Sequence, residues 1–285
     1  MRRVPVAMRA IVTGFLVSSA AVVPWGALVQ TNVKVGMGIP WAAGVMAAYL
    51  FLYVKYLGGW GWPRSTAAAR CDYLRAAGLP LRTWVWSLVS GVSAFAASIA
   101  LLLVVRRMLS WPASAGEFPA GLPAFVIAAT LLVSAAVAGI SEEAGFRGYM
   151  QRMMERRYGP AVAIFVSSVM FGLAHLSHGL RPVPLLFDTG WGALYGILAY
   201  LSGSIVPGII LHSALDFIEF WATWKQALRA RPLAWQSGPD AQFWSSCAAT
   251  IIFALVAVMA FRRLALTTRD RRTSDAALVP LSRAT

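Results

Sequence analysis

Charge is scarce in this chain. Only 13% of its 285 residues are Asp, Glu, Lys or Arg, about half the share of an average soluble domain. So few charges cannot cover a chain that is 59% hydrophobic. A soluble monomer of this composition would expose apolar patches that such proteins avoid. An ordinary soluble enzyme is therefore excluded, and so is a disordered segment, which needs the opposite balance. The two cysteines, Cys71 and Cys247, lie far apart and fit neither a metal-binding nor a disulfide spacing. Acidic residues number eleven and histidines three, so any acid–base site must draw on few side chains. The sequence has no P-loop, no dinucleotide fingerprint, no H-E-x-x-H and no nucleophilic Ser or Cys in a recognisable setting.

What the chain does have is long apolar runs, at about residues 9–30, 38–57, 84–105, 121–141, 160–178, 185–202, 204–222 and 243–261. A helix crossing a bilayer needs roughly 20 apolar residues. The pattern predicts an all-α, polytopic membrane helical bundle of about eight transmembrane helices. Residues 1–285 form one integral membrane domain, with no room for a sizeable soluble one. The first run carries the Arg2, Arg3 and Arg9 flank of a signal peptide. Its apolar stretch is too long for that and no small-x-small site follows, so it reads as a retained span.

The net charge of +14 arises from 25 Lys and Arg against 11 Asp and Glu. In a soluble protein this would suggest nucleic acid. Here the cations flank apolar runs, so they read as topology signals and contacts to anionic lipid, and no nucleic-acid partner is expected. With eight spans, 18 of the 25 cations fall on the side of the N-terminus and 7 on the other. The positive-inside rule then places both termini in the cytoplasm. The tail at 262–285, with Arg262, Arg263, Arg269, Arg271, Arg272 and Arg283, is expected to lie against lipid head groups.

Ionisable residues within membrane spans are costly and are functional candidates by default. Three clusters stand out. The first is Ser141-Glu142-Glu143-Ala144-Gly145-Phe146-Arg147. On a helix Glu143 and Arg147 share a face and can pair, while Glu142 is turned about 100° away and left over. A leftover carboxylate in low dielectric suits a general acid or base, although a plain Glu–Arg pair at a helix end would look similar. The second cluster is Phe171-x-x-x-His175, with His178 three residues on. Tyr158-Gly159-Pro160 marks a helix break. In a hairpin about that break Glu142 and His175 lie at equal depth, each roughly 24 Å along its helix from the turn. Phe171 lies one turn from His175 and is expected to wall the site, whereas His178 is expected at the interface. The third cluster is His212-x-x-x-Asp216, followed by Glu219. Asp216 lies one turn from His212 and could orient its imidazole. Asp188 stands alone in the sixth run.

A Glu base with imidazole partners suits activation of water for attack on an amide. The three histidines with a Glu could in principle bind a metal, but the spacing is not that of a zinc site. From the residues alone a proton-coupled transporter using Glu142, Asp188 and Glu219 stays open as a second reading. The sequence shows no repeat of the kind transporters carry.

The ordered set Glu142-Glu143-x-x-x-Arg147, Phe171-x-x-x-His175 and His212-x-x-x-Asp216, on separate apolar runs, resembles the CAAX-protease and bacteriocin-processing family, also called the Abi or type II CAAX prenyl endopeptidase family. The resemblance covers about residues 121–222. It implies an intramembrane glutamic endopeptidase in which Glu142 activates water with help from His175. Glu143 and Arg147 would support the site, and His212 with Asp216 would bind the oxyanion. The family commonly has Asn at the last position. Asp216 would have to be protonated to donate there, or act by holding His212. The resemblance implies no cofactor, with zinc considered and disfavoured. Its partners would be membrane lipid and a membrane-associated protein or peptide. Prenylated C-terminal CAAX peptides are the substrates of eukaryotic members, and bacterial relatives are linked to bacteriocin self-immunity and peptide maturation. The expected location is a bacterial inner membrane. A catalytically inactive immunity or scaffold relative is the other alternative.

Overall fold

A computed structural model describes residues 5–35, 38–109, 121–178, 182–225 and 232–278, excluding the side chains of 177, 178 and 270–278. Among these residues the secondary structure is wholly helical. The helices are α1 (Val6–Lys34), α2 (Trp41–Leu57), α3 (Ala67–Leu74), α4 (Leu81–Met108), α5 (Ala124–Glu142), α6 (Gln151–Tyr158), α7 (Pro160–Ala174), α8 (Pro182–Ser202), α9 (Val206–Trp224), α10 (Ala234–Ser237) and α11 (Ala241–Leu278). α5 and α6 are joined without a break by a π-helical segment, Glu143–Met150. Each of the eight apolar runs lies within or overlaps a described helix. By length and composition four are able to cross a membrane: α1, α4, the α5-to-α6 rod at Ala124–Tyr158, and α11 over Ala241–Arg269. α2 and α7 are shorter apolar helices.

The helices form two compact units. One holds α1 to α3, α5 to α7, most of α8, and α9. The other holds α4, α10 and α11. In the second unit α4 turns a small-residue face inward, with Thr83, Ser87, Ser90, Gly91, Ala94, Ala97 and Ala100 buried. Small residues let helix backbones approach closely where lipid offers no hydrophobic drive. Ion pairing of Arg107 with Asp240, at 2.7 Å, ties the end of α4 to the chain before α11.

In the first unit α1 packs on the π segment along one stripe, with Ala10, Gly14, Ser18, Ala21 and Trp25 buried. A side chain at Gly145 could not fit, because its Cβ would lie 2.5 Å from the Gly14 carbonyl oxygen. Pro24 lies inside α1 and cannot donate to the Ala20 carbonyl one turn back. The Tyr49 hydroxyl donates to that carbonyl instead, at 2.6 Å. Such replacement is what permits proline within a membrane helix. The predicted break is present: α6 ends at Tyr158, Gly159 takes a positive φ of 82°, and Pro160 opens α7. Glycine suits that conformation and proline suits the first helical turn.

Candidate active site

The site is built outward from one row of side chains. Glu143, Arg147, Gln151 and Glu155 recur every four residues along the rod formed by α5, the π segment and α6. π-helical turns are uncommon and concentrate at functional sites. Arg147 Nη1 lies 3.1 Å from Glu143 Oε1, and both side chains are fully buried. Further partners offset part of the cost of burying such a pair. Here Arg147 Nη2 donates to the Gly192 carbonyl at 3.3 Å. Its guanidinium also lies over the rings of Phe171, at 4.2 Å, and Tyr195, at 5.1 Å. One turn on, Gln151 donates to the Gly196 carbonyl and to Glu155, both at 2.9 Å. Gly192-x-x-x-Gly196 on α8 makes these contacts possible. A Cβ at 192 would meet the Ser168 backbone at 2.9 Å, and one at 196 would meet Gln151 Oε1 at 2.9 Å.

His212 enters from α9. Its Nδ1 lies 3.1 Å from Glu143 Oε1. A carboxylate accepts and does not donate, so this nitrogen carries the proton. Nε2 faces two more carboxylates, Asp216 at 3.6 Å and Glu142 at 3.9 Å. Tyr195 stacks on the imidazole, with centroids 4.6 Å apart and planes 17° apart. Gly208, one turn before His212, makes room for Glu143, since a Cβ there would lie 2.8 Å from its Oε2.

His175 sits at the end of α7. Its Nδ1 donates to the Phe171 carbonyl at 2.9 Å, so in the neutral ring Nε2 is the nitrogen that bears the lone pair. The Phe171 ring lies 4.7 Å from His175 and 5.9 Å from His212, against both imidazoles. This shared ring sets His175 beside the cluster of His212, Glu142 and Asp216.

Five of the motif residues, Glu142, Glu143, Arg147, His212 and Asp216, are within 4 Å of one another in a chain of contacts, and His175 joins them through the Phe171 ring, with one change in their relations. The closest carboxylate to His212 is Glu143 on another helix, not its helical neighbour Asp216, so Glu143 orients the ring. Glu142 is the carboxylate left outside the arginine pair, as the spacing predicts. Glu219 is exposed on α9 and Asp188 is half-buried on α8. The side chain of His178 lies outside the described residues. Among the described residues no three His, Cys, Asp or Glu side chains are disposed to share a metal ion. Sequence reasoning missed Tyr195, Gln151 and the glycines at 192, 196 and 208. Two signals were available: the Gly-x-x-x-Gly spacing, and Gln151 continuing the four-residue period of Glu143 and Arg147.

Helices of membrane-spanning length and a buried Glu, His and Arg cluster define an integral membrane protein with an acid–imidazole centre. Residues 124–218, which are 95 of the 285, match the family model described as type II CAAX prenyl endopeptidase Rce1-like. That stretch carries every residue of the centre, and over it the chain is similar to this family of membrane-embedded proteases. No curated protein and no solved structure matches the chain.

Proposed function

We propose that this protein is an intramembrane glutamic endopeptidase that hydrolyses a peptide bond of a membrane-associated protein or peptide. One observation carries the reading: His212 reaches across from α9 to bond Glu143 while its second nitrogen faces Glu142 and Asp216. The separations of 3.9 and 3.6 Å exceed direct hydrogen bonding and are distances that a shared water or substrate oxygen bridges.

In this mechanism Glu142 takes a proton from water as the hydroxyl oxygen attacks the scissile carbonyl carbon. The Nε2 of His175 assists, its lone pair being fixed by the Phe171 contact. With Nδ1–H committed to Glu143, His212 donates through Nε2 to the oxyanion in its doubly protonated form. Asp216 holds His212, or donates when protonated. Collapse of the tetrahedral intermediate returns a proton to the leaving amine. Preorganised donors of this kind supply about 3–4 kcal/mol each to acyl transfer. No cofactor is invoked: the reaction is written with water, two carboxyl groups and two imidazoles.

The family description makes prenylated CAAX peptides the first substrate class to try, with bacteriocin-type or immunity peptides the second. The eight apolar runs and the 18-to-7 division of cations support eight spans with both termini cytoplasmic, in a bacterial inner membrane. The test is cleavage of a farnesylated fluorogenic CAAX peptide in proteoliposomes. Glu142→Gln should abolish it with thermal stability retained, and a chelator should leave the wild type active. Full activity of Glu142→Gln would remove this mechanism.

A further inference from the structure

The two arms that form the site are tied together by one short segment outside the stretch that the family model matches. It runs over residues 73–77, at the end of α3. Arg75 there has a left-handed backbone, φ 56° and ψ 33°, and is the one described non-glycine residue with positive φ. Its Nη1 donates to both carboxylate oxygens of Glu155, at 3.0 and 3.1 Å. Both side chains are almost fully buried. Glu155 is the fourth member of the row that begins at Glu143, and it also accepts from Gln151. The Arg75 carbonyl accepts the N–H of Ile205 at 3.1 Å, at the start of α9, the helix that carries His212. The Ala77 carbonyl accepts the Ser204 hydroxyl at 2.8 Å. The Tyr73 and Leu74 carbonyls press on Gly148 of the π segment, where a Cβ would meet them at 2.9 and 3.3 Å.

Arg75 thus grips one arm with its side chain and the other with its main chain. A left-handed position at a helix end is ordinarily glycine, which takes it without strain. Arginine bears the strain here, so its side chain has a task that glycine could not perform. The row of four-residue contacts lies between Glu155 and Glu143, and the first turns of α9 lie between Ile205 and His212. Fixing both outer ends sets how far each arm slides along the other. That register sets the Glu143–His212 bond of 3.1 Å.

We infer that Arg75 is a positioning residue of the site, locking the arm of Glu142 and Glu143 to the arm of His212 and Asp216. The inference rests on the peptidase reading for its kinetic consequence but not for its geometric one. A displacement of about 1 Å at a reacting centre costs about 10²-fold in rate.

The test uses the full chain, purified in detergent and labelled with 15N in histidine. Three histidines give three imidazole spectra, and His212→Gln identifies that of His212. Arg75→Gly keeps the backbone conformation and removes the grip, while Glu155→Gln weakens the same link from the other side. Both should move the His212 Nδ1 resonance in the same sense. Both should lower kcat by about 10²-fold with KM within about twofold, and the double variant should be no worse than Arg75→Gly. Arg75→Lys should recover part of the rate. Arg107→Gln, in the other unit, should move neither readout. An unmoved His212 resonance in folded Arg75→Gly, or a kcat within about threefold of wild type, overturns the inference. If Arg75→Gly does not fold, the same two readouts on Glu155→Gln decide the matter alone. If the resonance moves but wild type cleaves no better than Glu142→Gln, the lock stands and the peptidase reading falls.

Discussion

Replacing Gly208 with alanine separates the stability of the fold from the geometry of the site. Gly208 lies in the first turn of α9, and its backbone has no need of positive φ. Alanine there favours the helix by up to about 1 kcal/mol. The new Cβ, however, would stand 2.8 Å from Glu143 Oε2, where ordinary contact begins at 3.4 Å. The carboxylate must retreat by about 0.6 Å to restore ordinary contact. It can yield, because it is the end of a side chain rather than backbone. Its Oε1, though, is held at 3.1 Å by both Arg147 and His212, so the retreat stretches one of those contacts beyond hydrogen-bond range. A loss of about ten- to a hundredfold in kcat follows, about 1.4–2.7 kcal/mol of transition-state stabilisation. The thermal midpoint should stay about level, because the helix gain of up to about 1 kcal/mol offsets the roughly 1 kcal/mol lost in the stretched contact. The assay is kcat and KM on a farnesylated fluorogenic peptide in proteoliposomes, beside thermal unfolding of the same preparation. Wild-type kcat, or a midpoint that falls together with activity, would refute the steric account.

Other substitutions probe the same framework. Arg147→Met leaves Glu143 fully buried without its guanidinium and should cost about 3–5 kcal/mol in thermal unfolding, whereas Glu143→Gln with Arg147→Met should recover much of it. Tyr49→Phe should cost about 1 kcal/mol in the wild type and almost nothing beside Pro24→Ala, because an alanine N–H there takes over the Ala20 carbonyl. A double-mutant cycle in chemical unfolding reads that coupling. Gly145→Val drives side-chain atoms into the Gly14 and Ser18 backbone and should abolish the folded species in size-exclusion chromatography, with no rescue from Met150→Ala.

The legible part of the site was the part set by local spacing. Glu143 and Arg147 lie four residues apart, and a helix places such residues on one face. Glu142 was thereby marked as the unpaired carboxylate. The Tyr158-Gly159-Pro160 break was equally plain, since glycine and proline have strong conformational preferences of their own. The π segment was not legible, because no residue type demands a five-residue hydrogen-bond step. Spacing alone also favoured Asp216 over Glu143 as the group that orients His212, and the two differ only through the placement of another helix.

The sequence by itself determined that this is a helical membrane protein, where its helices break, and which few acids and imidazoles are available for chemistry. Those features follow from hydrophobicity and backbone preference, which each short stretch carries on its own. Only the tertiary structure decided which partner each group meets. That choice depends on helix register, set by glycines at 145, 192, 196 and 208 and by the ties at Arg75, whose partners lie tens of residues away along the chain.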